Sequence, residues 1–331
     1  MNLIRRALPV ALALIAIGAI SFYLNPLGFV DRSLDLQLWR SGVRSHYAHV
    51  DGYRIHYLEA KPKNGQDGPP LVLVHGLGAK ASDWVAMIPA LTDAGFHVYA
   101  PDLLGYGRSE RPVNASYSIS EEEDIVRGFM ESQHIQQADI AGWSMGGWVV
   151  MKLALDHPEK VRRLAIYDSA GIYFPIDFDL NIFSPRDTAG LERLTEIIEP
   201  NQRHIQFPDF AAPGMLRRFR ENEWIVSRTF QSMISGRELL DFRLDALKQP
   251  MLIVWGAEDK LTPIAVGERI HAMVPQSVFV ELEGCGHLAP AECSHQTLRP
   301  TIPFFHAPAP PPPSETTVPA QPFSYISALQ R

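Results

Sequence analysis

The sequence predicts an α/β protein, a mainly parallel sheet covered on both faces by helices. Two observations carry the prediction. Apolar runs of four to eight residues, at 71–74, 96–100, 138–141, 251–255 and 278–282, alternate with longer helix-like stretches. Mostly apolar runs of that length, broken only by His97, Asp139 and Glu281, suit strands buried on both faces. The rhythm then stops between Ile172 and Asp245, where Pro175, Pro185, Pro200, Pro208 and Pro213 separate short helix-like pieces. That stretch reads as an inserted helical cap at 172–245, between core segments 45–171 and 246–306.

The elements follow in chain order. Arg5 and Arg6 precede an apolar stretch, 7–24, with no convincing small-x-small cleavage site after it. As a helix it is about 27 Å long at 1.5 Å per residue, close to the lower limit for crossing a bilayer. Residues 1–30 therefore read as an uncleaved signal anchor, a single membrane pass. The two arginines favour a cytoplasmic N-terminus and a catalytic domain outside the cytoplasm, in the periplasm, with secretion as the alternative. Residues 47–58 read as an antiparallel hairpin turning at Asp51-Gly52. Ser118 and Ser120 ahead of Glu121 and Glu123 form an overlapping capping-box signature for a helix running to Met130. His157-Pro158 ends the helix that begins after Gly146. Near the C-terminus, Pro300 and Pro303 are expected to break or kink a closing helix that starts near Pro290. Residues 307–331 read as a Pro-rich, disordered tail.

Five turn segments carry the chemistry. Gly142-Trp143-Ser144-Met145-Gly146 lies between an apolar run and a helix-like segment, so a sharp strand-to-helix turn pushes the Ser144 hydroxyl outward. His75-Gly76-Leu77-Gly78 follows a buried run and can present backbone N–H groups; the bland reading is a tight turn only. Acyl transfer needs such donors where the attacked carbonyl oxygen becomes an anion, and here Leu77 and Met145 would supply them. The segment 101–109 shapes a turn that need not touch substrate. Asp259, ending Gly256-Ala257-Glu258-Asp259, suits a carboxylate that orients a histidine, with Glu258 as a neighbour. Asp168, at the end of the preceding strand, is the rival acid. Gly284-Cys285-Gly286-His287 places a late histidine between glycines, within reach of Ser144.

With these motifs in the order Ser144, Asp259, His287, the chain resembles the α/β-hydrolase superfamily over roughly residues 45–300. It is most similar to the serine lipase and esterase branch related to monoacylglycerol lipases. The resemblance implies an eight-stranded, mainly parallel sheet with a helical cap. It also implies Ser144 as nucleophile, His287 as general base and then acid, Asp259 as its orienting partner, and Leu77 and Met145 as oxyanion donors. A serine rather than an aspartate at the elbow implies an acyl-enzyme. Trp143, where carbon–carbon hydrolases of the superfamily usually carry Asn, lowers that reading without removing it. The cap is rich in aromatics (Tyr173, Phe174, Phe178, Phe183, Phe207, Phe210, Phe219, Trp224 and Phe230), some of which should line an acyl pocket. Trp143, Phe174 and Phe178 are the substrate-binding candidates.

Composition limits the alternatives. A net charge of −7 without a basic, aromatic-interleaved cluster argues against nucleic acid. Zinc-type Cys/His spacing, an H-E-x-x-H motif, a P-loop and a dinucleotide fingerprint are all absent from the sequence, so neither metal nor cofactor is implied. Cys285 and Cys293 flank the histidine and are expected to be free thiols, because a turn and a helix start often hold Cα atoms beyond about 7 Å. The expected function is hydrolysis of medium- or long-chain acyl esters or lipids such as monoacylglycerols. Carbon–carbon or amide hydrolysis with the same triad, and a non-catalytic binding protein, stay open.

Overall fold

The computed structural model describes residues 13, 16–63, 67–200 and 207–320. After a helical stretch at 16–24 comes helix α1 (Pro26–Arg40), capped by the Asn25 side chain, which accepts the Gly28 N–H at 3.0 Å. Strands β1 (Arg44–Val50) and β2 (Tyr53–Ala60) form the expected hairpin, with Val50 opposite Tyr53. Asp51 and Gly52 both take positive φ, 49° and 86°, the backbone a two-residue hairpin turn requires.

Next come β3 (Pro70–Val74), α2 (Ile88–Asp93), β4 (His97–Pro101) and α3 (Ile119–Ser132). Ser118 caps α3 by accepting the Glu121 N–H, whereas Ser120 bonds to Glu238 of the cap. Then follow β5 (Ala138–Trp143), α4 (Met145–Asp156) and β6 (Val161–Tyr167). The cap supplies α5 (Thr188–Ile198) and α6 (Ala212–Ile234). The core resumes with β7 (Met251–Gly256), α7 (Ile264–Met273), β8 (Val278–Leu282), α8 (Ala289–Glu292) and α9 (Ser294–His306).

These strands join a ninth, β9 (Ser314–Val318), in one sheet ordered β1-β2-β4-β3-β5-β6-β7-β8-β9. From β4 onward every neighbouring pair is parallel. Strand β5 is central and buried along its whole length. Two apolar cores, one on each face, account for the mostly apolar strands. One includes Phe129, Trp148, Val150 and Trp255; the other includes Trp84, Tyr167, Leu73 and Phe305.

Four expectations are corrected. The first is the tail: 314–318 is not disordered but pairs with β8, Val278 opposite Ser314 and Leu282 opposite Val318. Thr316, Thr317 and Val318 suit such an edge, since β-branched residues favour extended backbone. The sheet therefore has nine strands rather than eight. Residues 321–331 lie outside the described residues.

The second is the closing helix. Residues 294–306 stay helical through Pro300 and Pro303. The buried face is carried by Thr297, Thr301, Phe304 and Phe305, while Pro300 is half-buried and Pro303 exposed. The carbonyls that the prolines leave without a donor belong to Gln296, which is buried, and to Arg299, which is exposed.

The third is the cysteine pair. Cys285 and Cys293 form a disulfide, with their Cα atoms 6.1 Å apart. The short helix α8 folds back on the histidine loop, as its Glu292 carboxylate accepts the Gly286 N–H at 2.7 Å, and this closes the gap. Closing so short a loop contributes about 2.5 kcal/mol by chain entropy. The double variant Cys285→Ser/Cys293→Ser should lose about that much in urea unfolding, with an unchanged m-value.

The fourth is the membrane pass and the periplasmic placement built on it. Among the described residues no helix is long and apolar enough to cross a membrane. Residue 13 and residues 16–24 are helical. Helix α1 then starts at Pro26 and carries Asp31, Arg32, Asp35 and Arg40, so the apolar character ends. Phe22 and Tyr23 meet Phe210 with ring centroids 5.6 Å apart, which docks this segment on the cap. Residues 7–12, 14 and 15 lie outside the described residues.

Candidate active site

Ser144 sits between β5 and α4 with φ 55° and ψ −122°, a conformation that non-glycine residues rarely adopt. The flanking glycines permit it. A Cβ at Gly146 would lie 2.2 Å from the Val74 carbonyl oxygen, and one at Gly142 would lie 2.3 Å from that of Gly146. The helix can therefore fold directly back over β5 and β3. The turn after β3 lies equally close, since a Cβ on Gly76 would be 3.0 Å from the Ser144 Cβ.

Three expected side chains meet here. His287 Nε2 is 2.9 Å from Ser144 Oγ, and His287 Nδ1 is 2.8 Å from Asp259 Oδ2. His287 and Asp259 are buried. The chain of contacts runs from hydroxyl to imidazole to carboxylate, in the geometry of an activated nucleophile.

Asp259 is held by its own turn. Its Oδ1 accepts the N–H groups of Leu261 (2.8 Å) and Thr262 (2.9 Å). Its Oδ2 also accepts the Thr262 hydroxyl at 2.7 Å. With Oδ2 facing His287 Nδ1, the imidazole carries its proton on Nδ1 and leaves Nε2 as acceptor toward the serine. Sequence reasoning missed Thr262 as a partner, although Thr262-Pro263 directly follows the acid turn. It also missed that Trp143 Nε1 donates to the His287 carbonyl at 2.8 Å.

The rival acid does not reach the histidine. Asp168 is fully buried, and its Oδ1 and Oδ2 accept the N–H groups of Gly256 (2.7 Å) and Ala289 (3.3 Å). Burial first, and then the neighbouring Asp259 charge, push its carboxyl well above the usual range. Asp168 ties together the ends of β6 and β7 and the start of α8. Glu258 is exposed beside the acid turn.

The turn after β3 has a further support. His75 is fully buried, and its Nε2 accepts the Leu103 N–H at 3.0 Å. Its Nδ1 therefore carries the proton and donates to the Gly76 carbonyl at 2.9 Å. Burial pushes the imidazole pKa down, against the pull of Asp102, so it stays neutral. The bond fixes the Gly76–Leu77 peptide and with it the direction of the Leu77 N–H. Asp102 is structural, as expected: it accepts the Ala81 and Arg108 N–H groups at 2.6 and 2.8 Å and pairs with His56 at 2.7 Å. Met145 is buried at the first position of α4, where the helix N-terminus favours negative charge.

Above Ser144 and His287 lies a cavity of about 770 Å³. Trp143, Phe174 and Phe178 line it, as do Tyr173, Phe183, Phe219 and Phe230. Two cap aromatics do other work: Phe210 packs on Phe22 and Tyr23, and Trp224 packs on Tyr117. Among the described residues no cluster of metal-ligating side chains occurs.

The profile of the family described as alpha/beta hydrolase fold matches residues 69–292, more than half of the chain and all three residues of the triad geometry. The chain belongs to the α/β-hydrolase family. It is similar to 2-hydroxymuconate semialdehyde hydrolase of Pseudomonas sp. (strain CF600), 29% identical over 233 residues, 66% of this chain and 81% of that protein. It is also similar to Lipase 1 of Psychrobacter immobilis, 26% identical over 243 residues, 70% of this chain and 74% of that one. Among solved structures, the crystal structure of a membrane phospholipase A aligns with a TM-score of 0.75. That alignment is 25% identical and covers 90% of this chain and 99% of the other. The protein is thus a hydrolase-family member with relatives that are named as a lipase and as a 2-hydroxymuconate semialdehyde hydrolase.

Proposed function

We propose that this hydrolase cleaves carboxylic esters of medium- or long-chain acids through an acyl-enzyme. The observation that supports it best is the apolar 770 Å³ cavity directly over Ser144 and His287. Ser144 Oγ attacks the ester carbonyl while His287 Nε2 takes its proton. The oxyanion meets the N–H groups of Leu77 and Met145, each such donor contributing about 2.7–4 kcal/mol to the transition state. Collapse expels the alcohol, which leaves with the proton from His287. Water, deprotonated by His287, then attacks the acyl-enzyme and frees the acid. Asp259 keeps the imidazole oriented and stabilises its charged form.

A carbon–carbon hydrolase is the second reading, favoured by the similarity to 2-hydroxymuconate semialdehyde hydrolase. Such a substrate carries a carboxylate, which an apolar cavity solvates poorly. Arg218 lines the cavity but is already paired with Asp31.

A p-nitrophenyl ester series from acetate to palmitate tests the proposal. The expected result is kcat/KM rising at least tenfold from C2 to C8–C12. Two further methylenes in an apolar pocket are worth about 1–3 kcal/mol, which is ample for that rise. Cleavage of acetate only would remove the long-chain assignment.

A further inference from the structure

His287 is held by its backbone as well as by its ring. Its carbonyl accepts the Trp143 Nε1–H at 2.8 Å, and its N–H donates to the Ile198 carbonyl at 3.0 Å. Trp143 is the last residue of β5, directly before Ser144, whereas Ile198 is the last residue of α5, in the cap. The histidine main chain is therefore strung between the strand that carries the serine and the helix that roofs the cavity.

The bond has a local cause on each side. The last four carbonyls of an α-helix have no donor within the helix, and that of Ile198 finds one in the His287 N–H. So close an approach requires Gly286. A Cβ there would lie 2.5 Å from Pro200 Cδ and 3.0 Å from the Ile198 carbonyl oxygen. Gly286 does not take positive φ, so what the position needs is the missing side chain. On the core side the same loop is already fixed. Glu292 accepts the Gly286 N–H at 2.7 Å, and the disulfide ties Cys285 to Cys293.

Helix α5 also faces the acyl cavity. Leu194 and Ile198 line it, as does Leu288, the residue after the histidine. A medium-length acyl chain packs against the turn whose carbonyl holds His287. An acetyl group fills only a small part of a 770 Å³ cavity and leaves most of this wall without a contact. Binding energy from a remote part of a substrate can thus be spent on orienting the reacting groups, where it appears in kcat.

We propose that Ile198 is a positioning residue for His287. Its carbonyl, carried by the cap, sets the imidazole against Ser144, and an acyl chain in the cavity seats α5 on the histidine loop and tightens that bond. The proposal rests on the ester-hydrolase reading and adds how acyl length is sensed. Acylation and deacylation both pass through His287, so kcat reports the effect whichever step limits.

The experiment measures kcat and KM separately for p-nitrophenyl acetate and p-nitrophenyl decanoate on the full chain. The wild-type kcat should be at least about fivefold higher for decanoate. Gly286→Ala, whose Cβ pushes Pro200 and Ile198 off the loop, should lower the decanoate kcat about tenfold, as a small misplacement of a reacting group does. Its decanoate KM should stay within about threefold of wild type, because the acyl wall itself is intact. Adding Pro200→Gly removes the nearest colliding atom and should restore most of the decanoate kcat. A loss that persists in the double variant would come from the loop alone and would overturn the role of the cap. A folded Gly286→Ala protein with the wild-type decanoate-to-acetate kcat ratio would overturn it too. Ile198→Ala keeps the carbonyl and trims the wall that meets the acyl chain, so it should lower that ratio. It carries the test if Gly286→Ala does not fold, and an unchanged ratio there overturns the proposal. If the wild type cleaves both esters with equal kcat and differs only in KM, the positioning role falls and the esterase reading stands. If it cleaves neither, both fall.

Discussion

Ser144→Ala is expected to lower kcat on a p-nitrophenyl ester by roughly six orders of magnitude, the scale on which serine-triad nucleophiles act. The substitution removes the atom that would form the acyl-enzyme and leaves everything around it in place. Alanine keeps the Cβ that fits beside Gly76 and shares the strained backbone already imposed there. The folded protein should therefore survive, with a urea midpoint close to that of the wild type. His287→Ala should cost about as much, and the double variant no more than either, because members of one catalytic unit are not additive. Stopped assays at high enzyme concentration measure the residue of activity. A Ser144→Ala protein within tenfold of wild type would remove the serine mechanism altogether.

The centre of the fold was legible in the sequence because burial on both faces of a parallel sheet leaves an unmistakable pattern. Runs such as Leu71-Val72-Leu73-Val74 and Met251-Leu252-Ile253-Val254 have no polar interruption, and both became strands. The elbow was legible for a steric reason. Only glycine can stand at 142 and 146 when the carbonyls of Gly146 and Val74 come within 2.3 Å of where a Cβ would be. A glycine pair around a serine between strand and helix reports that close approach directly. The order of Ser144, Asp259 and His287 along the chain then placed them at the ends of β5, β7 and β8, where a parallel sheet brings successive loops to one edge.

What was not legible depends on contacts distant in sequence. Nothing local says that 314–318 pairs with β8; the decision lies in an open sheet edge of Val278 to Leu282. Prolines at 300 and 303 break an isolated helix, but tertiary packing of Phe304 and Phe305 outweighs the loss. The disulfide needed the short α8 to turn back, which spacing alone does not reveal. The apolar run at 7–24 looked like a membrane span because hydropathy counts residues. Its described part instead ends at Asn25-Pro26 and leans on Phe210. His75 and Thr262 were missed because their work is to hold a peptide or a carboxylate, and single histidines and threonines carry no signature for that.

Asp259→Asn is expected to lower kcat about 10⁴-fold, while Asp168→Asn stays within tenfold of wild type; the comparison decides between the two candidate acids. The reason lies in which oxygen must remain an acceptor. Asp259 Oδ1 receives two backbone N–H groups, from Leu261 and Thr262. An asparagine at 259 would keep its carbonyl oxygen there and turn its NH₂ toward His287 Nδ1. The imidazole would then have to accept at Nδ1 and carry its proton on Nε2, facing Ser144 Oγ. In that tautomer it cannot take the serine proton, and no carboxylate remains to stabilise an imidazolium. Four orders of magnitude correspond to about 5.5 kcal/mol of barrier. At Asp168 the argument runs the other way. Burial and the charge of Asp259 favour its neutral form, so an amide of the same shape replaces an uncharged acid. Its contacts go to the Gly256 and Ala289 N–H groups rather than to the histidine. One amide hydrogen must face Ala289 or Gly256 and costs a hydrogen bond, which should appear as about 1–2 kcal/mol of stability in urea unfolding and little in kcat. The reverse pattern, a silent Asp259→Asn and an inactive, folded Asp168→Asn, would move the orienting acid from the end of β7 to the end of β6.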